Sequence, residues 1–134
     1  MLFRSFGADL IAGFPTETDA MFENTLASVD ECGIDYLHVF PYSPRPGTPA
    51  AKMPQVARDV IKARAARLRE AAAARRTAWL DRLVGSNQRV LVESPGKGHS
   101  DGFAPVLVAG AERGEIRDAH ILGRDGDQLI GAAA

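Results

Sequence analysis

Two short segments combine aromatic residues with glycine and proline, a composition that can bind a flat ring. Residues 13–18 read GFPTET and residues 40–48 read FPYSPRPGT. Proline makes such loops rigid, glycine leaves backbone groups exposed, and the aromatic rings offer faces for stacking. These segments predict a site that holds a planar group by stacking and backbone hydrogen bonds. The structural alternative is two ordinary turns in which proline and glycine are only breakers.

The residues around the first segment predict a strand followed by a helix. Residues 8–12 form an apolar run that Gly13 ends, which is typical of a buried strand. Thr16 and Asp19 then offer a hydroxyl and a carboxylate to the free N–H groups that open a helix. Gly33 is the expected stop. The apolar face of this helix would consist of Phe22, Leu26 and Val29.

A second β-prone run covers residues 36–40, so the pattern is strand, helix, strand. Such a βαβ unit has parallel strands, joined by a right-handed crossover. Ligands bind to these units at the carboxyl ends of the strands. Both aromatic segments follow a strand end, so we expect them to lie together.

Two long motifs resemble a known family. D-x-I-x-G-F-P-x-E-T begins at Asp9 and HVFPYSPRPGTPA begins at His38. Together they resemble the late barrel segments of the radical S-adenosylmethionine methylthiotransferases, closest to the branch that modifies threonylcarbamoyladenosine in tRNA, and the likeness covers nearly all of the chain after Phe6. It implies the last two strands of a partial (β/α) barrel, whose loops help to hold the adenosine of S-adenosylmethionine. The matching positions are Ile11, Gly13, Phe14, Pro15, Glu17, Phe40, Pro41, Tyr42 and Ser43, although a helix N-terminus explains Glu17 equally well.

The cysteine count limits what this chain does alone. Radical enzymes of this family need three thiolates for a four-iron four-sulfur cluster, and Cys32 is the only cysteine here. We therefore expect no cluster, no catalytic residue and no metal site, and a likeness to only the carboxyl-terminal third of such an enzyme. Cys32 follows Val29 by three residues, which predicts a buried structural thiol. The three histidines lack metal-ligand spacing.

A long basic helix is predicted over residues 52–84, where Lys and Arg outnumber Asp and Glu. Its apolar stripe would consist of Ile61, Ala65, Leu68, Ala72, Trp79 and Leu83. Cationic residues border the stripe, with Arg58, Lys62, Arg69 and Arg76 on one side and Arg64, Arg75 and Arg82 on the other. The helix could pack on the barrel with solvated cations, follow RNA phosphates, or do both. Binding to a membrane surface is a weaker alternative because the stripe is mostly alanine.

Residues 85–134 predict a small closed antiparallel β-barrel. Short β-prone runs cover residues 89–93, 104–108, 115–122 and 128–130, and loops SPGKGHSDG, AGAERG and GRDGD separate them. The segment resembles a TRAM domain, an RNA-binding, OB-like barrel, whose G-x-T-x-N-Y-x-x-V pattern is met by Gly98, Ser100, Phe103 and Val106, with Gly102 in place of Asn. The RNA contacts expected here are Arg89, Lys97, His99 and Phe103. Alternatively Phe103 belongs to the core and Lys97 is only solvated.

The predicted fold class is therefore α/β plus all-β. Residues 1–51 would end the barrel, 52–84 form the linking helix and 85–134 form the TRAM-like barrel, while residues 1–5 have no place in the family pattern. The formal net charge is −1, no apolar run is long enough for a membrane span, and we expect a cytosolic location. The resemblance implies methylthiolation at C2 of threonylcarbamoyladenosine beside the tRNA anticodon, with the anticodon stem-loop as partner and neither DNA nor membrane. Alternatives are relatives that act on isopentenyladenosine or on a ribosomal protein, and a non-catalytic RNA-binding module.

Overall fold

The computed structural model describes residues 4–134, so residues 1–3 of the segment without a family counterpart lie outside the described residues. The contacts divide the chain into two units. Phe6–Arg75 form one, called the sheet unit below. Residues 4–5 and Arg76–Ala134 belong to the other, called the barrel unit.

The sheet unit is built on two parallel strands joined by a helix. Strand β1 covers Gly7–Ala12, helix α1 covers Asp19–Glu31 and strand β2 covers Tyr36–Pro41. The strands pair from Gly7 with Tyr36 to Ala12 with Pro41. The predicted strand–helix–strand order and the parallel pairing are confirmed.

The N-cap residue of helix α1 lies two residues later than predicted. The hydroxyl of Thr18, not of Thr16, accepts a hydrogen bond from the Met21 N–H at 3.2 Å. Thr16 instead has φ +70° in the loop before the helix. The predicted apolar face is correct, since Phe22 and Val29 are each 1% exposed.

Cys32 is exposed, so the prediction of a buried thiol is wrong. Helix α1 ends at Glu31, and Cys32 is its C-cap residue. Gly33 follows with φ +63°, as expected of a helix stop. Because the helix ends before Cys32, the three-residue spacing from Val29 does not place the thiol on the buried face.

The second helix, α2, covers Arg58–Leu83 and follows a short 3-10 turn at Ala50–Lys52. It begins six residues later than predicted. Pro54 favours extended geometry at Met53, which has φ −80° and ψ 159° and separates the 3-10 turn from the helix. Every member of the predicted apolar stripe is buried. Within the sheet unit, Ala65 and Leu68 of α2 pack with Ala12, Phe22 and Val29.

The barrel unit contains a closed barrel, as predicted, and it is built from five strands. Its strands are β3 (Asn87–Ser94), β4 (Lys97–Ser100), β5 (Pro105–Val108), β6 (Ile116–Asp125) and β7 (Gln128–Ala133). Their order around the barrel is β3-β4-β5-β7-β6. The expectation of an all-antiparallel barrel is wrong, because β5 and β7 run parallel while the other pairs are antiparallel.

Strand β4 lies within SPGKGHSDG, which was predicted to be a loop. Its residue Gly98 pairs with Val92 of β3 and Val106 of β5. A Cβ atom at Gly98 would overlap the carbonyl group of Leu91. The glycines that indicated a loop are thus compatible with a strand, because Gly98 allows close approach of the neighbouring backbone.

Neither helix within residues 4–134 combines the length and the apolar character that crossing a membrane requires.

Candidate functional site

The loop after β1 is closed against helix α2. Gly13 is buried and has φ +80°. A Cβ atom built on it would lie 2.5 Å from Cγ1 of Ile61, far inside contact distance. The Gly13 N–H donates to Oε1 of Glu17 at 3.1 Å, and Pro15 is fully buried. This part of the predicted ring-binding loop is therefore fixed by internal packing.

Glu17 belongs to an ion cluster with α2. Its Oε1 atom accepts a second hydrogen bond from Nη1 of Arg64 at 2.8 Å, and Nη2 of Arg64 donates to Oδ1 of Asp19 at 2.7 Å. The hydrogen bond that Arg64 donates to Asp19, together with the nearby Glu17 carboxylate, raises the pKa of the Arg64 guanidinium above its ordinary value. The Glu17 carboxylate was predicted to contact a cofactor. In the structure it forms an ion pair with Arg64 of α2.

The two aromatic loops touch, as the strand-end argument predicts. The rings of Phe14 and Tyr42 meet edge to face, with centroids 5.6 Å apart and planes at 71°. The Tyr42 N–H donates to the carbonyl of Ala12 at 2.8 Å, which ties the second loop to the end of β1. The Tyr42 hydroxyl is buried and has no hydrogen-bond partner among the described residues.

The sheet has one covered face and one open face. Ile11 and Phe40 are register partners, and each is 52% exposed. Asp9 and His38 pair two residues earlier along the strands and are also exposed. Because paired residues of parallel strands project to the same side, these side chains form one open face. Ile11 and Phe40 therefore lie on the face opposite to the one that packs against the helices.

The remaining members of the second predicted loop line a cleft in the sheet unit. Pro41, Tyr42 and Ser43 border a volume of about 450 Å³ whose other side is helix α2. Three cationic residues predicted to bind RNA line the same cleft, namely Arg58, Lys62 and Arg69. The structure thus brings together residues that the sequence assigned to two different ligands.

Three other arginines of α2 are paired with acidic residues of α1. Arg64 meets Asp19, Arg67 meets Glu23 at 2.6 Å, and Arg75 meets Asp30 at 3.8 Å. From the first pair to the last, both partners advance by 11 residues in the same direction, so α1 and α2 run parallel. Arg64 and Arg67 also lie 5.6 and 5.1 Å from the Phe22 ring centroid. This side of α2 is an internal packing surface.

Arg76, also predicted to bind RNA, belongs to the barrel unit. Its Nε atom is 4.0 Å from Oδ1 of Asp127, at the limit of an ion pair. The same Nε atom is buried without a hydrogen-bond partner among the described residues. Arg76 is only partly exposed, whereas Arg58, Lys62 and Arg69 are exposed.

The predicted RNA contacts of the barrel are exposed or partly exposed, and two already have partners. Nη2 of Arg89 lies 3.1 Å from Oδ2 of Asp101, and Nδ1 of His99 lies 2.8 Å from Oε2 of Glu93. Lys97 is exposed on β4.

Phe103 is 68% exposed with φ +67°, so the alternative that placed it in the core is wrong. The turn that carries it is held by hydrogen bonds. The Phe103 N–H donates to the carbonyl of Ser100 at 2.9 Å, and the Ser100 hydroxyl accepts from the Ala104 N–H at 3.1 Å. The Ser5 hydroxyl donates to the carbonyl of Gly102 at 2.6 Å. The ring is therefore presented to solvent by an ordered turn.

Two outward apolar residues were missed by the sequence reasoning. Leu91 pairs with Ile116 on β6 and with His99 on β4, so the three side chains form a row on the outer surface of the barrel. Leu91 is 48% exposed and Ile116 is 68% exposed. Their signal was present, since Leu91 falls on the polar phase of an otherwise regular alternation in β3.

The residues present do not fit an iron–sulfur cluster. Such clusters are held by several cysteine thiolates, and this chain contains one. Within residues 4–134 no three His, Cys, Asp or Glu side chains come together as a ligand set for a metal ion.

The chain is homologous to a segment of the tRNA methylthiotransferases, which confirms the resemblance seen in its motifs. It is 46% identical over 120 residues to the threonylcarbamoyladenosine tRNA methylthiotransferase of Rickettsia prowazekii, covering 89% of this chain and 28% of the relative. A probable threonylcarbamoyladenosine tRNA methylthiotransferase of Methanocaldococcus jannaschii is 38% identical over 132 residues, covering 93% of this chain and 30% of the relative.

A tRNA-2-methylthio-N(6)-dimethylallyladenosine synthase of Xanthomonas campestris is 40% identical over 117 residues, covering 81% of this chain and 24% of the relative. The chain thus spans less than a third of the length of the relatives it matches. No protein-family model matches it.

Proposed function

We propose that this chain is part of a radical S-adenosylmethionine enzyme that adds a methylthio group at C2 of N6-threonylcarbamoyladenosine, next to the tRNA anticodon. The observation that supports this proposal is the 46% identity over 120 residues to the Rickettsia relative, a longer match than the 44% identity over 98 residues to a dimethylallyladenosine synthase of Coxiella burnetii. The sheet unit would supply the last two strands of a partial (β/α) barrel. The enzyme would act in the cytoplasm, on tRNA.

The strand-end loops would hold the adenosine part of S-adenosylmethionine. Ile11, Phe14 and Phe40 expose apolar surface at the carboxyl ends of two parallel strands, which is where such folds bind ligands. These residues fit an adenine ring, and Tyr42 supports Phe14 by its edge contact. When bound, the cofactor would supply both the radical and the methyl group. The cluster that starts this chemistry would require cysteines outside these residues.

The barrel would contact the anticodon stem-loop through Phe103, together with Arg89, Lys97 and His99. An exposed aromatic residue with positive φ costs about 1 kcal/mol or more, and such strain is common at functional positions. Stacking of an unpaired base on an aromatic ring contributes about 1–3 kcal/mol, which offsets that cost. Arg89 would exchange its exposed partner Asp101 for a phosphate group.

Substitution of Phe103 tests this role of the barrel. Phe103→Asn should leave the melting temperature of the barrel unchanged or higher, because asparagine tolerates positive φ. It should weaken stem-loop binding about tenfold through the lost stacking. Leu122→Asn is the matched control, since Leu122 is a similarly exposed apolar residue of β6. Equal affinity of the Phe103 variant and the wild type in fluorescence anisotropy would show that the ring does not stack on RNA.

The second candidate is a non-catalytic RNA-binding module, which the single cysteine favours. Deletion of the gene, followed by mass spectrometry of tRNA nucleosides, separates the candidates. Loss of the methylthio group from threonylcarbamoyladenosine alone supports the proposed enzyme. Loss from dimethylallyladenosine alone indicates the other tRNA substrate. If neither nucleoside changes, the chain is not part of a tRNA methylthiotransferase activity, and the binding module remains.

A further inference from the structure

We propose that the cleft between the loop after β2 and the first turns of α2 binds the phosphodiester backbone of an RNA strand. The cleft lies in the sheet unit and is separate from the residues assigned to RNA on the barrel. This inference rests on the proposed function in one respect, namely that the partner is RNA.

The cations of the cleft form a straight row. Arg58, Lys62 and Arg69 are separated by four and seven residues, which is one and two helical turns. At 100° per residue they lie within about 40° of one another, and at 1.5 Å per residue they extend over about 16 Å. RNA carries one negative charge per nucleotide, so a strand running along α2 would present a phosphate to each cation.

These three cations lack internal partners, unlike their neighbours on the same helix. Neither Arg58, Lys62 nor Arg69 forms a side-chain hydrogen bond or ion pair with the described residues. Arg64 and Arg67, on the other side of α2, are neutralised by acidic residues of α1. The three cations outnumber Asp59, the acidic residue that lines the same cleft, so the cleft carries a net positive charge. The amino-terminal end of α2 adds to it through the helix dipole.

The floor of the cleft favours a polymer that carries rings as well as charges. Pro41, Tyr42, Ile61 and Ala65 provide an apolar surface beside the cationic row. Its volume of about 450 Å³ is within the range of ligand sites, roughly 300–1,000 Å³. A sugar or base can cover the floor while the adjacent phosphates meet the cations. An acidic peptide would satisfy the charges but leave the apolar floor uncovered.

The test compares two double variants with equal loss of charge on the same helix. Arg58→Gln/Lys62→Gln removes two cations of the cleft, and Arg67→Gln/Arg82→Gln removes two exposed cations outside it. Binding of a fluorescein-labelled anticodon stem-loop is measured by anisotropy over a range of salt concentrations, with circular dichroism as a check on folding. The cleft variant should bind at least about tenfold more weakly at about 0.1 M salt. Its log–log salt slope should fall by about 1.4–1.8, the value for two lost phosphate contacts. The control should change less than about twofold.

The possible results separate this proposal from the proposed function. Suppose that the wild type binds the stem-loop. If the two double variants then weaken binding equally, or if the cleft variant binds like the wild type, RNA remains the partner but the cleft is not its binding site. If the wild type does not bind the stem-loop, both the cleft and the direct RNA contact by this chain are wrong. Displacement of the RNA by a poly-glutamate peptide of equal charge at comparable concentration would also overturn the choice of RNA.

Discussion

Substitution of Gly13 should lower the folding stability of the sheet unit, whether or not a ligand is bound. Gly13→Ala forces a side chain to φ +80°, which costs about 1–2 kcal/mol for an L-residue. The new Cβ atom would lie 2.5 Å from Cγ1 of Ile61, so the isoleucine must move by roughly 1 Å, and overpacking of this kind costs about 1–3 kcal/mol. We expect a loss of about 3 kcal/mol in the free energy of unfolding of this unit.

A double-mutant cycle with Ile61 separates the two costs. Ile61→Ala removes Cγ1 and Cγ2, the two closest atoms, so Gly13→Ala should cost about 1–2 kcal/mol less in that background. Hydrogen exchange gives a local measurement: amides of Phe22 and Val29 in α1 should lose protection, while that of Val90 in the barrel should not. A cost below about 0.5 kcal/mol, or no coupling with Ile61, would refute the packing explanation.

Three further expectations concern single residues. Arg64→Leu should lower the stability of the sheet unit by about 3 kcal/mol in urea unfolding, because it leaves the Glu17 carboxylate buried without its cation, whereas Arg67→Leu at an exposed pair should have a much smaller effect. Gly98→Ala should prevent closure of the barrel, seen as loss of dispersed amide resonances, because its Cβ atom has no room beside β3. The hydrogen bond from the Glu112 N–H and the Arg117 guanidinium lower the pKa of Glu115. The ionised carboxylate therefore stabilises the barrel above about pH 4.5, and this contribution is lost as the pH falls through the lowered native pKa. Glu115→Gln should make barrel unfolding less sensitive to acid in that range.

The helix faces could be predicted because burial on a helix follows local spacing. Ile61, Leu68 and Trp79 were placed on one stripe by periodicity alone, and all three are buried. The same reasoning failed at Cys32 because residue spacing predicts the buried face only within a helix, and α1 ends at Glu31. The residue that ends α1 depends on Gly33 and on the hydrogen bonds around it, which a periodicity argument does not include.

The sheet pairings in the barrel could not be predicted, because they join residues far apart in the chain. Nothing local distinguishes a loop glycine from Gly98, whose small size is needed only once Leu91 lies beside it. Similarly, the parallel pairing of Val106 with Leu129 depends on how the strands close the barrel. Local propensity identified the strand-forming residues in β3, β5, β6 and β7, but not their neighbours.

The sequence predicted the cationic residues of α2 but not which of them are available to a ligand. Arg64 and Lys62 border opposite sides of the apolar stripe, and a helical wheel does not indicate which side is available to a ligand. They differ because α1 runs along one side of α2 and supplies carboxylates there, leaving Lys62 exposed in the cleft. Whether a cation of α2 can contact a ligand thus depends on the tertiary contacts of the helix, and the sequence pattern alone could not predict it.

The strand order of the barrel has a consequence for its folding kinetics. Strands β3, β4 and β5 form a meander, and β6 and β7 form a hairpin, so both pieces can assemble from local contacts. Closure requires two seams, the parallel one between β5 and β7 and the antiparallel one between β3 and β6. Contacts between distant segments form at the entropic cost of closing a long loop. These seams should therefore form last and determine the folding rate. Substitution of Val106, which pairs across the β5–β7 seam, should then slow folding more than substitution of Asp125, which pairs with Gln128 within the β6–β7 hairpin.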